Sequence, residues 1–401
     1  MRYLLFFLFT LSLFSNPLQE MINSAKSGSK IELGAGEYKG RIVIDKPLII
    51  EGAGDAHIIG DNTSSVITIT SPNVVLKNLR ISGSGDSHEG QDAAVLVKGV
   101  NNVLVEGNNI TDSLFGINFQ QVSNSKIINN FITSKPYSLG ARGDGILFWY
   151  SHDNIVRANH IKNSRDIVAW HSDKNIYEDN FAEFGRYALH FMYANDNLVQ
   201  NNLFEHNSVG MFFMYSRDVT ARNNTIKSSL GTFGLGLGLK ESSNFIIEDN
   251  SIIYNARGLL LDQSPYMKDS VNIFRRNKIL YNANAVQLLG LREKSLFSEN
   301  IFKGNMELIF ADMPKNDIPY VEWRGNYWDD YEGFDRDKDG VGDIPYKQYA
   351  YADKLWLYNE DIKFFYGTAA MGLLNFLAKL TPFSEPALMA VDSEPLIKAA
   401  M

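Results

Sequence analysis

Side chains with soft ligand atoms recur in the middle of the chain. The residues concerned are His171, His190, Met192 and Met214. Thioether sulfur and imidazole nitrogen together favour Cu(I) over harder metal ions. These four residues therefore form a candidate site for transient Cu(I) binding, provided that the fold brings them to one face.

A second group of ligand-type residues lies near the C-terminus, where carboxylates alternate with other residues. The residues with calcium-loop spacing are Asp335, Asp337, Asp339, Val341 and Asp343, at positions 1, 3, 5, 7 and 9, with glycine at position 6. In such a loop alternate residues turn toward one Ca²⁺, and the glycine permits a sharp bend. Tyr346 stands where a bidentate glutamate is usual, so we expect weakened binding. The alternative is a solvated acidic turn.

The composition excludes several other chemistries. The net charge is −8 and there is no run of Lys or Arg, so a nucleic-acid partner is not expected, because phosphate recognition needs a basic stripe. Cysteine is absent, which excludes disulfides, thiolate nucleophiles and thiolate-bound metals.

The N-terminus has the pattern of an export signal. Arg2 precedes an apolar run over residues 3–14, and Ser15, Asn16 and Pro17 break it. A charged start, a short apolar stretch and a small residue before a turn are typical of secretory signals. The run is shorter than the roughly 20 apolar residues that a bilayer requires. We therefore predict a signal peptide over residues 1–15; the alternative is a retained anchor.

A repeat extends through most of the chain and must position these side chains. Copies of an Asn-containing pattern with a nearby large apolar residue recur about every 21 to 23 residues in the middle of the chain. Short alternating runs bounded by Asn, Gly and Ser lie between them, as expected of short strands and turns. The pattern predicts an all-β, right-handed parallel β-helix over residues 16–328, with a short C-terminal helical and irregular extension. Asn suits its corners because it tolerates left-handed backbone angles and its amide can form ladders. A β-propeller, with repeats of about 40 residues, is disfavoured.

Four consecutive coils, at residues 146–151, 167–172, 189–194 and 211–216, align well enough to assign faces, and we align 235–239 as the fifth. One parity is uniformly apolar and is predicted to be the core. The other parity predicts an outward ladder of Trp149, Trp170, Met192 and Met214, followed by Gly238, with His190 alongside.

An exposed row of two tryptophans and two methionines is unusual on a soluble monomer. Three interpretations are open. An insertion such as residues 133–143 covers the ladder; the ladder, including Trp149 and Trp170, docks a partner protein; or its methionines bind Cu(I) transiently.

The C-terminal segment predicts a helix over residues 362–380. Its apolar residues include Phe364, Phe365, Leu374 and Leu377, and it is expected to lie against a partner or the solenoid end rather than to cross a bilayer. Residues 390–396 look extended and irregular. We assign residues 329–401 to the acidic loop, this helix and a tail for partner docking.

Several motifs in order carry a family resemblance. They are Gly325-Asn326-Tyr327-Trp328-Asp329-Asp330, then the acidic segment through Asp343-Ile344-Pro345-Tyr346, then Val391-Asp392-Ser393-Glu394-Pro395-Leu396, with Phe191-Met192-Tyr193 and Phe213-Met214-Tyr215 in the repeats. In this combination the chain resembles the NosD family, periplasmic β-helix proteins of nitrous-oxide reductase maturation, over nearly the whole mature length. The tail departs from the family pattern by continuing to Met401.

The resemblance implies a periplasmic accessory protein without a catalytic centre. Such proteins sit on an ABC transporter made of the ATPase NosF and the permease NosY, and contact the membrane through that permease. They take part in delivering copper, received from the chaperone NosL, to nitrous-oxide reductase. By this resemblance the C-terminal helix and tail would dock on the permease, and the ladder becomes a candidate surface for copper or for the client enzyme.

The rival class is a carbohydrate-active enzyme, because polysaccharide-degrading enzymes share this fold, which alone decides nothing. A glycoside hydrolase needs two carboxylates about 5 to 9.5 Å apart. Asp144 and Asp166 begin neighbouring coils and could supply them if they line an open groove. A purely structural solenoid is a third class, which leaves the specific tail unexplained.

Overall fold

The protein is described here by a computed structural model that covers residues 16–311, 317–350, 360–365, 368–380 and 387–399. The predicted signal peptide lies outside these residues. Within them the backbone winds into 13 coils, and three parallel sheets run along the coil axis. The predicted fold class, an all-β parallel β-helix, is confirmed.

Each coil gives one short strand to each sheet, except that the last coil has none in sheet 3. Sheet 1 contains Lys30–Leu33, Ile49–Gly52, Val75–Lys77, Leu104–Glu106, Lys126–Ile128, Ile155–Arg157, Ile176–Glu178, Leu198–Gln200, Thr220–Arg222, Ile246–Glu248, Asn272–Arg275, Ser295–Ser298, Val321–Arg324, Ala387–Asp392 and Tyr346–Ala350. Sheet 2 contains Gly36–Lys39, Ala56–Ile59, Arg80–Ser82, Asn109–Ser113, Phe131–Ser134, His160–Lys162, Phe181–Glu183, Leu203–Glu205, Thr225–Lys227, Ser251–Ile253, Lys278–Leu280, Ile301–Lys303 and Tyr327–Trp328. Sheet 3 contains Ile42–Ile44, Ile67–Ile69, Ala93–Lys98, Phe115–Gln120, Ile146–Trp149, Asp166–Trp170, Tyr187–Met192, Val209–Met214, Leu235–Lys240, Arg257–Asp262, Asn284–Leu289 and Glu307–Ala311. The helices are α1 (Pro17–Ser24) and α2 (Ala369–Leu380), with 3₁₀ turns at Leu139–Ala141, Ile318–Tyr320 and Glu360–Phe365.

The core is a set of columns in which like side chains stack on like. Because the coils lie in register, inward residues of one coil contact the equivalent residues of the next. The rings of Phe119 and Phe148 are stacked with centroids 5.3 Å apart, and those of Phe191 and Phe213 lie 4.8 Å apart. Each fully buried side chain of this kind contributes about 1.5 to 3 kcal/mol to stability. No coil buries its inner face without its neighbours.

A column of buried asparagines marks the corner between sheets 1 and 2. The side-chain oxygen of Asn202 accepts hydrogen bonds from the main-chain N–H and the side-chain amide of Asn180, at 2.9 and 3.0 Å. The column comprises Asn108, Asn130, Asn159, Asn180, Asn202, Asn224, Asn250, Asn277, Asn300 and Asn326. The left-handed backbone angle expected of these residues belongs instead to the preceding residue, such as Asn201 with φ 59°. The corner therefore uses two adjacent positions, one for the turn and one for the ladder.

Helix α1 closes the N-terminal end of the solenoid. It begins after Asn16, whose side-chain oxygen accepts the N–H of Gln19 at 3.1 Å. Leu18 and Ile22 are buried against the first coils. The helix thus covers apolar side chains that would otherwise face solvent at the end of the stack.

The C-terminal tail closes the other end. The strand Ala387–Asp392 meets sheet 1 at Trp323 and pairs antiparallel with Tyr346–Ala350. The expected extended backbone is present as far as Asp392 and an irregular segment follows it; what the sequence did not predict is that the extended part pairs with the solenoid's own sheet.

Asp392 takes the place of the next asparagine in the ladder. It is fully buried, and its Oδ2 accepts the main-chain N–H of Asn326 at 2.8 Å, the Asn326 amide at 2.9 Å and the indole N–H of Trp328 at 3.1 Å. Its Oδ1 accepts the N–H groups of Gly325 and Glu394, at 2.9 and 3.1 Å. One carboxylate thus satisfies five donors that no further coil is present to receive.

The fifth aligned coil corrects the sequence alignment by two residues. Met211 lies beside Leu237 rather than Leu235, and Met214 lies beside Lys240 rather than Gly238. A shift of two residues leaves every side chain on the same face, so the alternating Gly–Leu segment fits both registers equally. The ladder accordingly ends at a charged residue.

Lys240, which follows Met214 in the ladder, and Gly238, which was predicted there, have definite roles. Lys240 forms an ion pair with Asp262 of the next coil at 3.3 Å. Gly238 lies under the ring of Phe212, where a Cβ atom would come within 2.3 Å of the ring. Glycine is required there because the aromatic ring occupies the space of a side chain.

Candidate metal site and docking surface

The four ladder residues form one row on the outer face of sheet 3. Trp149 lies beside Trp170, Trp170 beside Met192, and Met192 beside Met214. The two indoles are 36 % and 37 % exposed and meet edge to face with centroids 5.3 Å apart, while both methionines are half-buried. The structure therefore presents an uncharged strip across four coils.

The insertion at residues 133–143 is anchored away from this strip. Lys135 forms an ion pair with Asp86 at 2.8 Å, and the Tyr137 hydroxyl donates to the same carboxylate. Arg142 donates to the main-chain oxygen of Phe184. The interpretation that this insertion covers the ladder is wrong for the two indoles, which stay exposed.

A second column of rings flanks the ladder at the corner that follows sheet 3. Tyr150, His171, Tyr193 and Tyr215 all have positive φ, and their rings stack with successive centroid distances of 4.7, 5.1 and 4.8 Å. Of this column, only His171 was predicted from the sequence as a candidate site residue. The missed signal was an aromatic residue directly after the ladder position in four successive repeats. The structure makes His171 a stacking residue between two tyrosines rather than a close neighbour of His190.

His190 lies in the outward column next to the ladder but is only 7 % exposed. Its ring packs against Tyr187, with centroids 4.6 Å apart, and against Phe212. Burial lowers the pKa of His190 to about 4, against the smaller opposing effect of Asp166. The imidazole is therefore neutral at pH 7 and keeps a lone pair for a metal ion. His190 thus lies alongside the ladder as the sequence predicted, and its neighbours bury it there.

His190 and Met214 bring two soft ligand atoms together. The Nε2 atom of His190 lies 3.4 Å from the sulfur of Met214. For a tetrahedral metal with a metal–nitrogen distance near 2.0 Å and a metal–sulfur distance near 2.3 Å, the two ligand atoms lie roughly 3.5 Å apart. Met192 lies directly beside Met214 in the sheet. This arrangement can accept a soft cation without a large rearrangement.

Two buried aspartate–arginine pairs lie on the adjoining part of sheet 3. Arg165 donates to both oxygens of Asp144, at 2.8 and 3.0 Å, and Arg186 donates to both oxygens of Asp166. The aspartate side chains are only 4 % and 2 % exposed. Burial and the neighbouring Asp166 raise the pKa of Asp144 to about 6. Each carboxylate is occupied by its own arginine, so the pair does not line the open groove that a glycoside hydrolase would need.

The acidic segment folds into a turn with three clustered carboxylates. Ligand oxygens of Asp335, Asp337 and Asp339 lie within 4.8 Å of one another. Asp335 accepts the N–H groups of Lys338 and Gly340, at 2.6 and 3.0 Å. Gly340 has φ 91°, a left-handed conformation that glycine adopts without strain.

The other two predicted calcium ligands have different surroundings. Asp343 accepts the N–H of Arg336 and is not among the three clustered carboxylates. Val341 forms a bridge with Leu396, which ties the acidic turn to the C-terminal tail. The structure therefore brings together three of the five predicted residues and links the turn to the solenoid's cap.

Helix α2 and the preceding 3₁₀ turn occupy the segment predicted as one helix. Leu373 and Phe376 are each 57 % exposed, Leu374 is 47 % exposed and Leu377 is 41 % exposed. In the 3₁₀ turn Phe365 is exposed, whereas the side chain of Phe364 lies outside the described part of the structure. Within the described ranges, every helix is too short or too polar to traverse a bilayer. The described side chains of the helix thus present apolar groups to solvent.

Comparison with known proteins identifies the family. The family model described as "Periplasmic copper-binding protein (NosD)" matches residues 132–333, half of the chain and all of the ladder. The chain belongs to the NosD family. A "Probable ABC transporter binding protein NosD" of Pseudomonas aeruginosa is 27 % identical, over 96 % of this chain and 92 % of the relative. A NosD protein of the same description from Stutzerimonas stutzeri is also 27 % identical, over 91 % and 86 %. The resemblance found in the sequence is confirmed.

Solved structures similar to this NosD-family chain share its fold. The A-module of a mannuronan C-5 epimerase from Azotobacter vinelandii matches with a TM-score of 0.51 and 15 % identity, over 78 % of this chain and 93 % of the module. A family 28 exopolygalacturonase from Yersinia enterocolitica matches with a TM-score of 0.51 and 13 % identity, over 77 % and 74 %. At such identities the likeness concerns the β-helix alone.

Proposed function

We propose that this NosD-family protein is a periplasmic accessory of an ABC-transporter complex, without a catalytic centre, that assists copper delivery and copper-centre assembly in nitrous-oxide reductase. The family description and the names of both relatives support the copper and transporter parts of this proposal. The observation that carries it is the approach of His190 Nε2 to the Met214 sulfur at 3.4 Å. The closed Asp144 and Asp166 pairs argue against a polysaccharide-degrading role.

Copper(I) would bind transiently between His190 and Met214, with Met192 as a further thioether ligand. Soft ligands and a neutral imidazole suit this ion. Met192 and Met214 are half-buried, so a donor or acceptor protein can reach their side of the site. His171 would contribute to the surrounding surface through its ring column rather than as a ligand. Copper is cargo here, received from a chaperone such as NosL and passed toward nitrous-oxide reductase.

Two surfaces would serve the partners. Trp149 and Trp170 give the client or chaperone an uncharged, partly exposed strip beside the metal site, and aromatic residues of this kind dominate protein interfaces. Helix α2 would attach the protein to the NosF–NosY transporter, and so to the inner membrane, through its exposed leucine and phenylalanine side chains.

The ladder methionines provide the direct test of the copper role. Met192→Leu with Met214→Leu preserves side-chain volume and is expected to leave the protein folded. We expect Cu(I) affinity to fall by at least about 100-fold, because ligands matter more than orienting residues, whose loss costs roughly 10- to 100-fold. In a host lacking the native gene, the variant should leave the reductase exported but poor in copper and inactive. The measurements are Cu(I) competition with a chromophoric chelator and copper per reductase polypeptide.

A matched control removes two sulfur atoms elsewhere. Met267→Leu with Met306→Leu changes two methionines outside the ladder, whose side chains are 43 % and 45 % exposed. This variant should behave as wild type. Normal copper loading in the ladder variant would refute the copper site. A fully metallated, active reductase in the deletion strain itself would refute the maturation role.

The acidic turn is proposed as a weak calcium site that supports the cap. Gly342 donates to the main-chain oxygen of Pro395 and Ile397 donates to that of Gly340, so an ion in the turn would hold the tail in place. Ca²⁺ at 100 times its Kd would stabilise the protein by about 2.7 kcal/mol. We expect thermal melting of the wild type to rise with Ca²⁺ and fall with a chelator. Asp337→Asn should abolish that response, and Glu89→Gln should keep it. If Ca²⁺ does not change the melting temperature of the wild type, the segment is a solvated acidic turn without a calcium site.

A further inference from the structure

The two ring nitrogens of His190 face two different groups. Nε2 points toward the sulfur of Met214 at 3.4 Å, while Nδ1 lies 4.0 Å from an oxygen of Asp166. Nδ1 is buried and has no hydrogen-bond partner in the described structure. A buried polar atom of this kind costs free energy unless a partner moves into reach.

A neutral imidazole can satisfy only one of these neighbours with its single N–H. If Nε2 carries the hydrogen, it donates weakly to sulfur, and the lone pair of Nδ1 faces a carboxylate oxygen, which is repulsive. If Nδ1 carries the hydrogen, the ring can tilt by about 1 Å to donate to Asp166, and the lone pair of Nε2 faces the lone pairs of sulfur. The second arrangement leaves a gap between two electron-pair donors, which is what a soft cation fills.

We propose that Asp166 is a positioning residue that holds His190 in the Nδ1–H tautomer, so that its Nε2 lone pair is directed toward Met214 and a Cu(I) ion. The inference rests on the proposed copper function. Metal-binding histidines generally donate their other N–H to a carboxylate or carbonyl, which fixes the ring and its tautomer.

Asp166 is itself held firmly enough to act in this way. Its Oδ1 accepts the Nε–H of Arg186 and the main-chain N–H of Tyr187, both at 3.1 Å. Its Oδ2, the atom nearest His190, also accepts from Arg186. The side chain is 2 % exposed, so water does not compete for the remaining lone pair. A local irregularity in strand pairing, between Asp166 and Val168, places this carboxylate beside Tyr187 rather than in the regular row.

Asparagine at position 166 is expected to favour the opposite tautomer of His190. In Asp166→Asn the side-chain oxygen keeps the contacts of Oδ1, and the amide group replaces Oδ2 and no longer accepts the Nη–H of Arg186, a loss that Asp144→Asn shares for Arg165. The amide then donates to Nδ1 of His190, and the imidazole hydrogen must lie on Nε2. There it occupies the lone-pair position that would bind Cu(I) beside Met214. Asp144→Asn is the matched control, because Asp144 has the same buried, bidentate arginine partner one coil earlier.

The test uses the full mature chain with ¹⁵N-labelled histidine at neutral pH, with His190→Gln to assign the signal. We expect Nδ1–H in the wild type and in Asp144→Asn, and Nε2–H in Asp166→Asn. Cu(I) affinity should fall roughly 10- to 100-fold in Asp166→Asn and remain at the wild-type value in Asp144→Asn.

The outcomes separate the inference from the function. An Nε2–H tautomer in the wild type would overturn the role of Asp166, and where the wild type binds Cu(I), equal Cu(I) affinity in the two asparagine variants would do the same. The tautomer measurement needs no copper, and its only variant, His190→Gln, serves to assign the signal. It therefore decides the inference even if the wild type binds no Cu(I), a result that would count against the proposed function alone.

Discussion

Replacing Asp392 with alanine is expected to lower the free energy of unfolding of the C-terminal coil by about 4 kcal/mol. The substitution leaves the N–H groups of Gly325 and Asn326 and the indole of Trp328 without their acceptor in a buried site. Each unsatisfied buried donor costs about 1 to 3 kcal/mol, and the five donors of Asp392 share one environment, so their costs do not simply add. The measurement is urea unfolding followed by tryptophan fluorescence, with hydrogen exchange at the two amides.

Two comparisons make this prediction specific. Asp392→Asn keeps one acceptor but turns an amide toward the N–H groups of Gly325 and Glu394, so an intermediate loss is expected. Glu89→Ala removes the same charge from an exposed position and should change stability by no more than about 0.5 kcal/mol. Asp392→Ala with the stability and amide protection of Glu89→Ala would show that the tail does not cap the ladder.

The solenoid could be predicted because its determinants repeat locally. Asparagine recurs at one corner, and apolar residues alternate between corners, so each coil carries the same information. The ladder row was predictable for the same reason, because parity assigns Trp149, Trp170, Met192 and Met214 to the outer face. The NosD resemblance came from non-repeating C-terminal motifs, which repeat physics does not generate.

Where the repeat is ambiguous, prediction failed for a definite reason. A segment that alternates glycine and leucine fits two registers that differ by two residues, and only the length of the preceding loop selects one. Met214 therefore meets Lys240 instead of Gly238. The cap was not predicted because Asp392 is an isolated acid in the sequence, whereas its role depends on Asn326, which is far away along the chain.

The proposed metal site depends on contacts that sequence spacing does not encode. His190 reaches Met214 diagonally in the next coil, and its burial depends on the neighbouring rings of Tyr187 and Phe212. Asp166 was visible in the sequence only as a possible catalytic acid. Its pairing with Arg186 and its distance from His190 favour instead a role in orienting His190. Residue types identified the chemistry, and the fold decided which of them act together.

Substitutions on helix α2 are expected to release the protein from the membrane fraction. Leu374→Gln with Phe376→Gln keeps helix propensity but removes two exposed apolar side chains, 47 % and 57 % exposed. Loss of two central interface side chains costs about 3 kcal/mol or more, which corresponds to roughly a 100-fold weaker Kd. We expect the variant to fold normally and to appear in the soluble periplasmic fraction of cells that produce the transporter subunits. Membrane fractionation and co-purification with the permease provide the measurement.

Point substitutions are needed because deletion of everything after residue 362 would also remove Asp392 and uncap the solenoid, so loss of binding would not distinguish docking from unfolding. The matched control is Leu230→Gln with Phe233→Gln, which changes the same residue types at 64 % and 76 % exposed positions in a loop of the solenoid. That control should stay with the membrane. If it dissociates and the α2 variant does not, the loop beside sheet 3, rather than the helix, contacts the transporter. If neither variant dissociates, the protein attaches through another surface. Trp149 and Trp170 of the ladder are then the first residues to substitute, because they form another uncharged, partly exposed surface.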